Sequence, residues 1–232
     1  MIRIEQISKR YGGRTVLEIP LWTVNKGEII GLVGSNGAGK TTLLRLLLDL
    51  IEPDTGEIQL GGKPVAGSDW KEFTGSYLDE RFLIEYLSGE EFLDFVRTTY
   101  GLTRQDAQQA LEPYRTFLPT NGDANKYLRD LSTGNAKKVG ITAAMFFSPG
   151  LLILDEPFAN LDPPSQLRLK QLLRELHAKT GTTMLISSHD LVHVTDLCDR
   201  ITLLDHGRVV TDAATSKETL EELRTYFAET SI

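Results

Sequence analysis

Hydrophobic and polar positions alternate at the start of the chain. Ile2, Ile4 and Ile7 are separated by charged or polar side chains, which predicts a half-buried strand. Tyr11-Gly12-Gly13 follows as a turn signal. Val16–Val24 and Glu28–Val33, separated by Asn25-Lys26-Gly27, predict two more strands. After Gly39 the period changes. Leu43, Leu44, Leu46, Leu47, Leu48 and Leu50 predict a strongly apolar helix, ended by Glu52-Pro53-Asp54-Thr55-Gly56. Glu57–Leu60 and Phe73–Leu78 predict strands, and helical patterns then dominate from Ser88 to about Phe147. The first of these helices opens at Ser88-Gly89-Glu90-Glu91 and places Phe92, Phe95 and Val96 on one face. The second runs from Thr103 to about Phe117 with Pro113 inside it, and the third covers Ser132–Phe147. Leu151–Leu154 predicts a buried strand, and Pro163 to about Lys179 a helix opening on two prolines. Thr182–Ser187, Arg200–Leu204 and Arg208–Thr211 predict strands, and Lys217 to about Phe227 a last helix.

Strand and helix alternate around Glu28–Leu50 and again around Leu151–Ser187, which predicts an α/β core with parallel strands. The helical stretch from about Glu80 to Phe147 is inserted into that core, and no flexible linker marks it off as a separate domain. The chain of 232 residues is long enough to bury a core without disulfides or a structural metal. Its net charge of −7 argues against a general nucleic-acid binder. No apolar run approaches the length of a transmembrane helix, and Met1–Lys9 lacks the apolar centre of a signal peptide. Cys198 is the only cysteine, which fits a cytosolic address. With one cysteine and scattered histidines a zinc site is not expected.

Gly34-Ser35-Asn36-Gly37-Ala38-Gly39-Lys40-Thr41 satisfies the pattern G-x-x-x-x-G-K-[ST], with a strand before it and a Leu-rich helix after it. Glycines let backbone N–H groups turn inward around phosphate oxygens, and the helix start adds partial positive charge. In this pattern Lys40 reaches the β- and γ-phosphates and Thr41 offers a hydroxyl to magnesium.

Leu151-Leu152-Ile153-Leu154-Asp155-Glu156 is an apolar strand ending in two carboxylates. Ligands sit at the C-terminal ends of such strands in open α/β sheets. Asp155 suits magnesium, directly or through water, and Glu156 is placed to orient an attacking water. His189 follows another apolar strand. It reads either as a γ-phosphate contact or as a helix-start histidine paired with Asp190. His177, His193 and His206 read as structural or solvent-facing.

With these motifs in this order, residues 1 to 213 resemble the ATP-binding cassette (ABC) family of ATPases. Gly34–Thr41 resembles its Walker A motif and Leu151–Glu156 its Walker B motif with the adjoining glutamate. Leu131-Ser132-Thr133-Gly134-Asn135 is similar to the LSGGQ signature, Asn160-Leu161-Asp162 to the D-loop, and His189 to the switch histidine. The chain departs from the signature at Thr133 and Asn135, and Glu80, or Asp79 in a register one residue earlier, stands where the family places its Q-loop glutamine.

The resemblance implies a P-loop NTPase core with an N-terminal antiparallel β subdomain and an inserted α-helical subdomain. The core would be residues 1–78 and 148–213, the helical signature subdomain 79–147, and the C-terminal helix 214–232. It implies ATP bound by Tyr11, Val16, Gly34, Ser35, Asn36, Gly37, Ala38, Gly39, Lys40, Thr41 and Thr42, with Tyr11 stacked on adenine. Ser132, Gly134 and Asp162 would meet ATP held by a second copy or a related cassette. Thr41, Glu80 and Asp155 would hold Mg2+, and Glu156, His189 and Lys40 would carry hydrolysis. The implied activity is that of the ATP-hydrolysing subunit of a membrane transporter of the bacterial export type. It would be peripheral on the inner face of the cell membrane and would drive a separate integral membrane subunit. A soluble ATPase outside transport, of the iron–sulfur assembly kind, is the alternative.

The charge is unevenly placed. Residues 1–45 hold seven bases and three acids, around the phosphate loop. Residues 79–95 hold six acids and one base, and Glu85, Glu90 and Glu91 there read either as an acidic docking surface or as a solvated helix start.

Overall fold

The computed structural model describes residues 1–123 and 125–230. The chain begins with strands β1 (Ile2–Tyr11), β2 (Arg14–Val24) and β3 (Ile29–Val33), then helix α1 (Lys40–Leu47). Strands β4 (Thr55–Leu60), β5 (Lys63–Pro64) and β6 (Thr74–Tyr77) lead to helices α2 (Gly89–Thr99), α3 (Arg104–Leu111) and α4 (Thr133–Met145). Strand β7 (Leu151–Leu154), helix α5 (Pro163–Thr180), strand β8 (Thr183–Ser188) and the short helix α6 (Leu191–Thr195) follow. Strands β9 (Arg200–Asp205) and β10 (Arg208–Ala214) and helix α7 (Lys217–Thr230) complete the order. These elements group into two units, Met1–Trp70 with Thr183–Ile232, and Lys71–Thr182.

In the first unit β1 and β2 form a hairpin across Gly12-Gly13, and β1 also pairs antiparallel with β4. The register sets Ile2 opposite Val24, Ile4 opposite Trp22 and Ile7 opposite Ile19, all buried. The step from Ile4 to Ile7 breaks strict alternation because the pairing with β4 shifts between Glu5 and Ser8, where Gln6 takes a left-handed backbone (φ 51°). The second sheet of this unit is built on β3, which pairs parallel with both β8 and β9, while β10 returns antiparallel to β9. Every residue of β3 and β8 is buried, as expected for parallel strands. Leu43, Leu44, Leu46 and Leu47 are fully buried on α1; the helix ends there, and Leu50 beyond it is exposed.

In the second unit β6 and β7 pair in parallel, with Tyr77 beside Leu154. Helix α2 opens on a capping box in which Ser88 N–H donates to Glu91 at 2.8 Å. Phe92 and Leu93 form its buried face; of the residues expected to share a face with Phe92, Val96 is half-buried and Phe95 is exposed. Pro113 divides the helix expected over Thr103–Phe117: α3 stops at Leu111 and a 3-10 turn, Glu112–Tyr114, follows. Helix α5 opens on Pro163-Pro164, capped by Asp162, whose Oδ1 accepts from Ser165 N–H at 2.7 Å.

Candidate functional site

The phosphate-loop motif joins β3 to α1. Gly39 takes a left-handed backbone (φ 109°) at the N-cap, which turns the chain directly into the helix. An α-helix leaves its first N–H groups without an intrahelical acceptor. In α1 this first turn is Lys40-Thr41-Thr42 and carries no carboxylate. Lys40 is buried, and its Nζ donates to the Gly34 carbonyl at 2.6 Å and to the Ser35 carbonyl at 3.3 Å. Ser35, Asn36 and Gly37 are exposed, Ala38 is buried, and Ala38 N–H donates to the Ser35 carbonyl at 3.2 Å. Thr41 is exposed and Thr42 half-buried. A concave run of amides with an ammonium at its centre fits a polyphosphate.

Two segments of the same unit, at His189 and Val16, meet this loop, whereas Tyr11 lies in the β1–β2 hairpin with no contact to the loop among the described residues. Ser188, the last residue of β8, is in register with Val33, so β8 delivers exposed His189 beside the start of the loop. Val16, half-buried on β2, places its carbonyl oxygen 3.2 Å from where a Cβ on Gly39 would lie. Tyr11 closes the β1–β2 hairpin opposite Arg14, half exposed, with the Lys9 ammonium 5.5 Å from its ring centre. The turn after β9 adds a contact that no motif announces: Gly207 N–H donates to the Ala38 carbonyl at 2.9 Å. The residues that follow His189 make contacts of their own. Asp190 caps α6 by accepting from Val192 N–H at 2.8 Å, and the His193 ring lies 3.7 Å from its carboxylate.

The second unit carries the carboxylates. Asp155 and Glu156 leave the C-terminal end of β7, and Glu80 leaves the same end of β6, three residues beyond Tyr77. Asp155 is buried, and its N–H donates to the Tyr77 carbonyl at 2.9 Å. Glu156 is half-buried and holds a left-handed backbone, φ 45°. The Tyr77 hydroxyl donates to Glu80 at 2.8 Å; burial first, then Glu80 itself, push the phenol well above its ordinary value, so it remains a donor. Lys137, buried on α4, donates to the carbonyls of Glu156 and Ala159, each at 3.0 Å. Oxygen ligands of this kind suit magnesium, which is bound by one or two protein carboxylates together with phosphates and water.

Ser132, Thr133, Gly134, Asn135, Asn160 and Asp162 line one groove of about 570 Å³. Ser132 caps α4, its Oγ accepting from Asn135 N–H at 3.3 Å. A Cβ on Gly134 would stand 2.8 Å from the Asn160 carbonyl oxygen, whereas Thr133 is exposed. Asn135 donates from its side chain to Asp123 at 2.9 Å. Lys138 also lines the groove.

The family described as ABC transporter matches residues 17–159, more than half of the chain. The chain belongs to that family. An uncharacterised ABC transporter ATP-binding protein of Nostoc is 37% identical over 190 residues, 81% of this chain and 56% of that protein. The Nod factor export ATP-binding protein I of Sinorhizobium fredii is 33% identical, over 91% of this chain and 62% of that protein. The chain thus spans less than two thirds of the length of these two relatives. A solved ATP-binding subunit of an ABC transporter superposes with a TM-score of 0.83 at 29% identity, covering 98% of this chain and 93% of that one. These relatives are transport proteins, so the iron–sulfur alternative is not favoured.

Within the ABC cassette the structure gathers the expected residues into two sets. Gly34–Thr42, Val16 and His189 converge in the first unit; Glu80, Asp155, Glu156 and the groove of Ser132, Gly134 and Asp162 belong to the second. Lys137 and Gly207 escaped sequence reading because their partners are main-chain atoms far along the chain. The one sequence signal for Lys137 is a cation at an apolar position of α4. Glu91 is committed to the α2 cap, which supports the helix-start reading of that acid over the docking one.

Proposed function

We propose that this subunit hydrolyses ATP in a magnesium-dependent reaction and thereby drives a separate integral membrane subunit of an export-type transporter. It works as a head-to-tail pair with a second copy or a related cassette. The observation that carries this reading is the loop Gly34–Thr41, in which buried Lys40 already donates to two carbonyls facing the turn. Phosphate oxygens offer that ammonium stronger, charge-assisted partners. The amides of Gly37 to Thr42 hold the remaining phosphate oxygens, Tyr11 stacks on adenine, and Val16 lines the same face.

Thr41, Asp155 and Glu80 would supply oxygen ligands to magnesium, and its charge would offset that building on the transferred phosphoryl group. Glu156 accepts a proton from the attacking water, and His189 contacts the γ-phosphate. The water oxygen bonds to the γ-phosphorus as the bond to ADP breaks, giving ADP and inorganic phosphate. Ser132, Gly134 and Asp162 face the γ-phosphate carried by the second copy, where the start of α4 favours an anion.

Export rests on the 33% identity to the Nod factor export protein. Cargo recognition then belongs to the membrane subunit. Among the described residues no helix is long and apolar enough to cross a membrane. The subunit is placed by this reading at the inner face of the cell membrane, held there by its partner.

The test is purification from native membranes in detergent, followed by assay of ATP hydrolysis with and without magnesium. An integral membrane protein co-purifying with a magnesium-dependent ATPase is expected. Co-purification of soluble scaffold proteins alone would contradict the transport reading.

A further inference from the structure

Lys137 stands in the second turn of α4, one turn beyond the signature residues. It is 5% exposed, and burying an ammonium is costly unless the charge is offset and its protons are taken up. Both conditions are met here. Nζ donates to the Glu156 and Ala159 carbonyls at 3.0 Å each, and the Tyr77 ring lies 5.8 Å away. Burial lowers its pKa, and the carboxylates of Glu80, Glu156, Asp155 and Asp79 oppose that shift. An apolar side chain would fill the same space without the desolvation cost, so packing alone does not account for a lysine.

The two acceptors bracket the turn by which the chain leaves β7. Within that turn Glu156 holds φ 45°, a backbone conformation that a residue other than glycine keeps only when its surroundings fix it. The bonds from Lys137 are such a constraint, since they grip the carbonyl of Glu156 itself and that of the residue three positions on.

We infer that Lys137 is a positioning residue. By holding the Glu156 and Ala159 carbonyls from α4, it fixes the left-handed backbone of Glu156 and so the aim of its carboxylate at the attacking water. Because Ser132 caps α4, the same helix that carries the signature is thereby tied to the turn that carries the base. The inference rests on the reading of Glu156 as that base.

The experiment compares Lys137→Met, Lys137→Gln and Lys137→Arg in the full chain. It measures kcat and KM for ATP, the affinity for a fluorescent ATP analogue, and the thermal midpoint. Lys137→Met is expected to lower kcat about 10–100-fold while nucleotide affinity and KM stay within about twofold. Lys137→Arg, which keeps both cation and donors, recovers most of kcat, and Lys137→Gln falls between them. Should the Met variant fail to fold, the Gln variant reads the same split, because it keeps a donor. Unchanged kcat in the Met or Gln variant overturns the inference. So does a kcat that falls in step with nucleotide affinity, or an Arg variant no better than Met. Failure of the underlying reading looks different: full turnover in Glu156→Gln, or no ATPase in the unaltered protein.

Discussion

The Lys40 ammonium donates to the Gly34 carbonyl oxygen at 2.6 Å, so the last cation of the phosphate loop closes back on its first glycine. The same ammonium reaches the Ser35 carbonyl at 3.3 Å, so it is held against the first two residues of the loop. Lys40→Met would remove the charge-assisted bonds to phosphate that we propose for it. ATP affinity should fall about 10–100-fold, in line with the loss of about 1.5–3 kcal/mol for a bond to a charged group. Titration with a fluorescent ATP analogue measures this, and unchanged affinity would remove Lys40 from the phosphate site.

Gly207 supports the loop from the turn after β9. Its N–H donates to the Ala38 carbonyl, its carbonyl accepts from Glu18 N–H at 2.8 Å, and its φ is 78°. A Cβ there would fall 2.3 Å from the Val16 carbonyl oxygen. Gly207→Ala should therefore destabilise the fold by about 1–3 kcal/mol and weaken ATP binding with it. Urea unfolding reads the first effect and nucleotide titration the second. A variant as stable as the parent would show that the turn yields freely.

These cases mark where the sequence is legible. The phosphate loop, the strand ending in Asp155-Glu156 and the Ser132 and Asp162 caps are local patterns, and the fold uses each within a few residues of where it is written. The strand pattern Ile2, Ile4, Ile7 was legible too, although its change of phase depends on Gln6 and on the register with β4. Helical spacing places Phe95 and Leu50 with apolar neighbours but does not say which of them a neighbouring element covers; both are exposed, and α1 stops at Leu47, before Leu50. Lys137 and Gly207 were invisible because a main-chain carbonyl has no letter in the sequence. Their bonds to Glu156 and Ala38 exist only after the chain has folded.

Asp162 gives a pH dependence. The Ser165 hydroxyl and then the Ser165 N–H hold its carboxyl below the ordinary value of 3.8. A carboxylate depressed in the folded state adds stability above its unfolded value and loses it as pH falls through the folded one. The difference in thermal midpoint between the parent and Asp162→Ala should be open at neutral pH and should close as pH falls below 3.8. A difference that stays constant down to that range would mean that the cap does not act through the charged form.

We propose that Glu156 activates the water that attacks ATP. Glu156→Gln keeps size and hydrogen-bonding capacity while removing the proton acceptor. Turnover and nucleotide affinity measured side by side on this one variant test the claim most directly. The account predicts parent-like ATP binding with kcat reduced about 10²–10⁴-fold. Parent-like turnover in Glu156→Gln would contradict it.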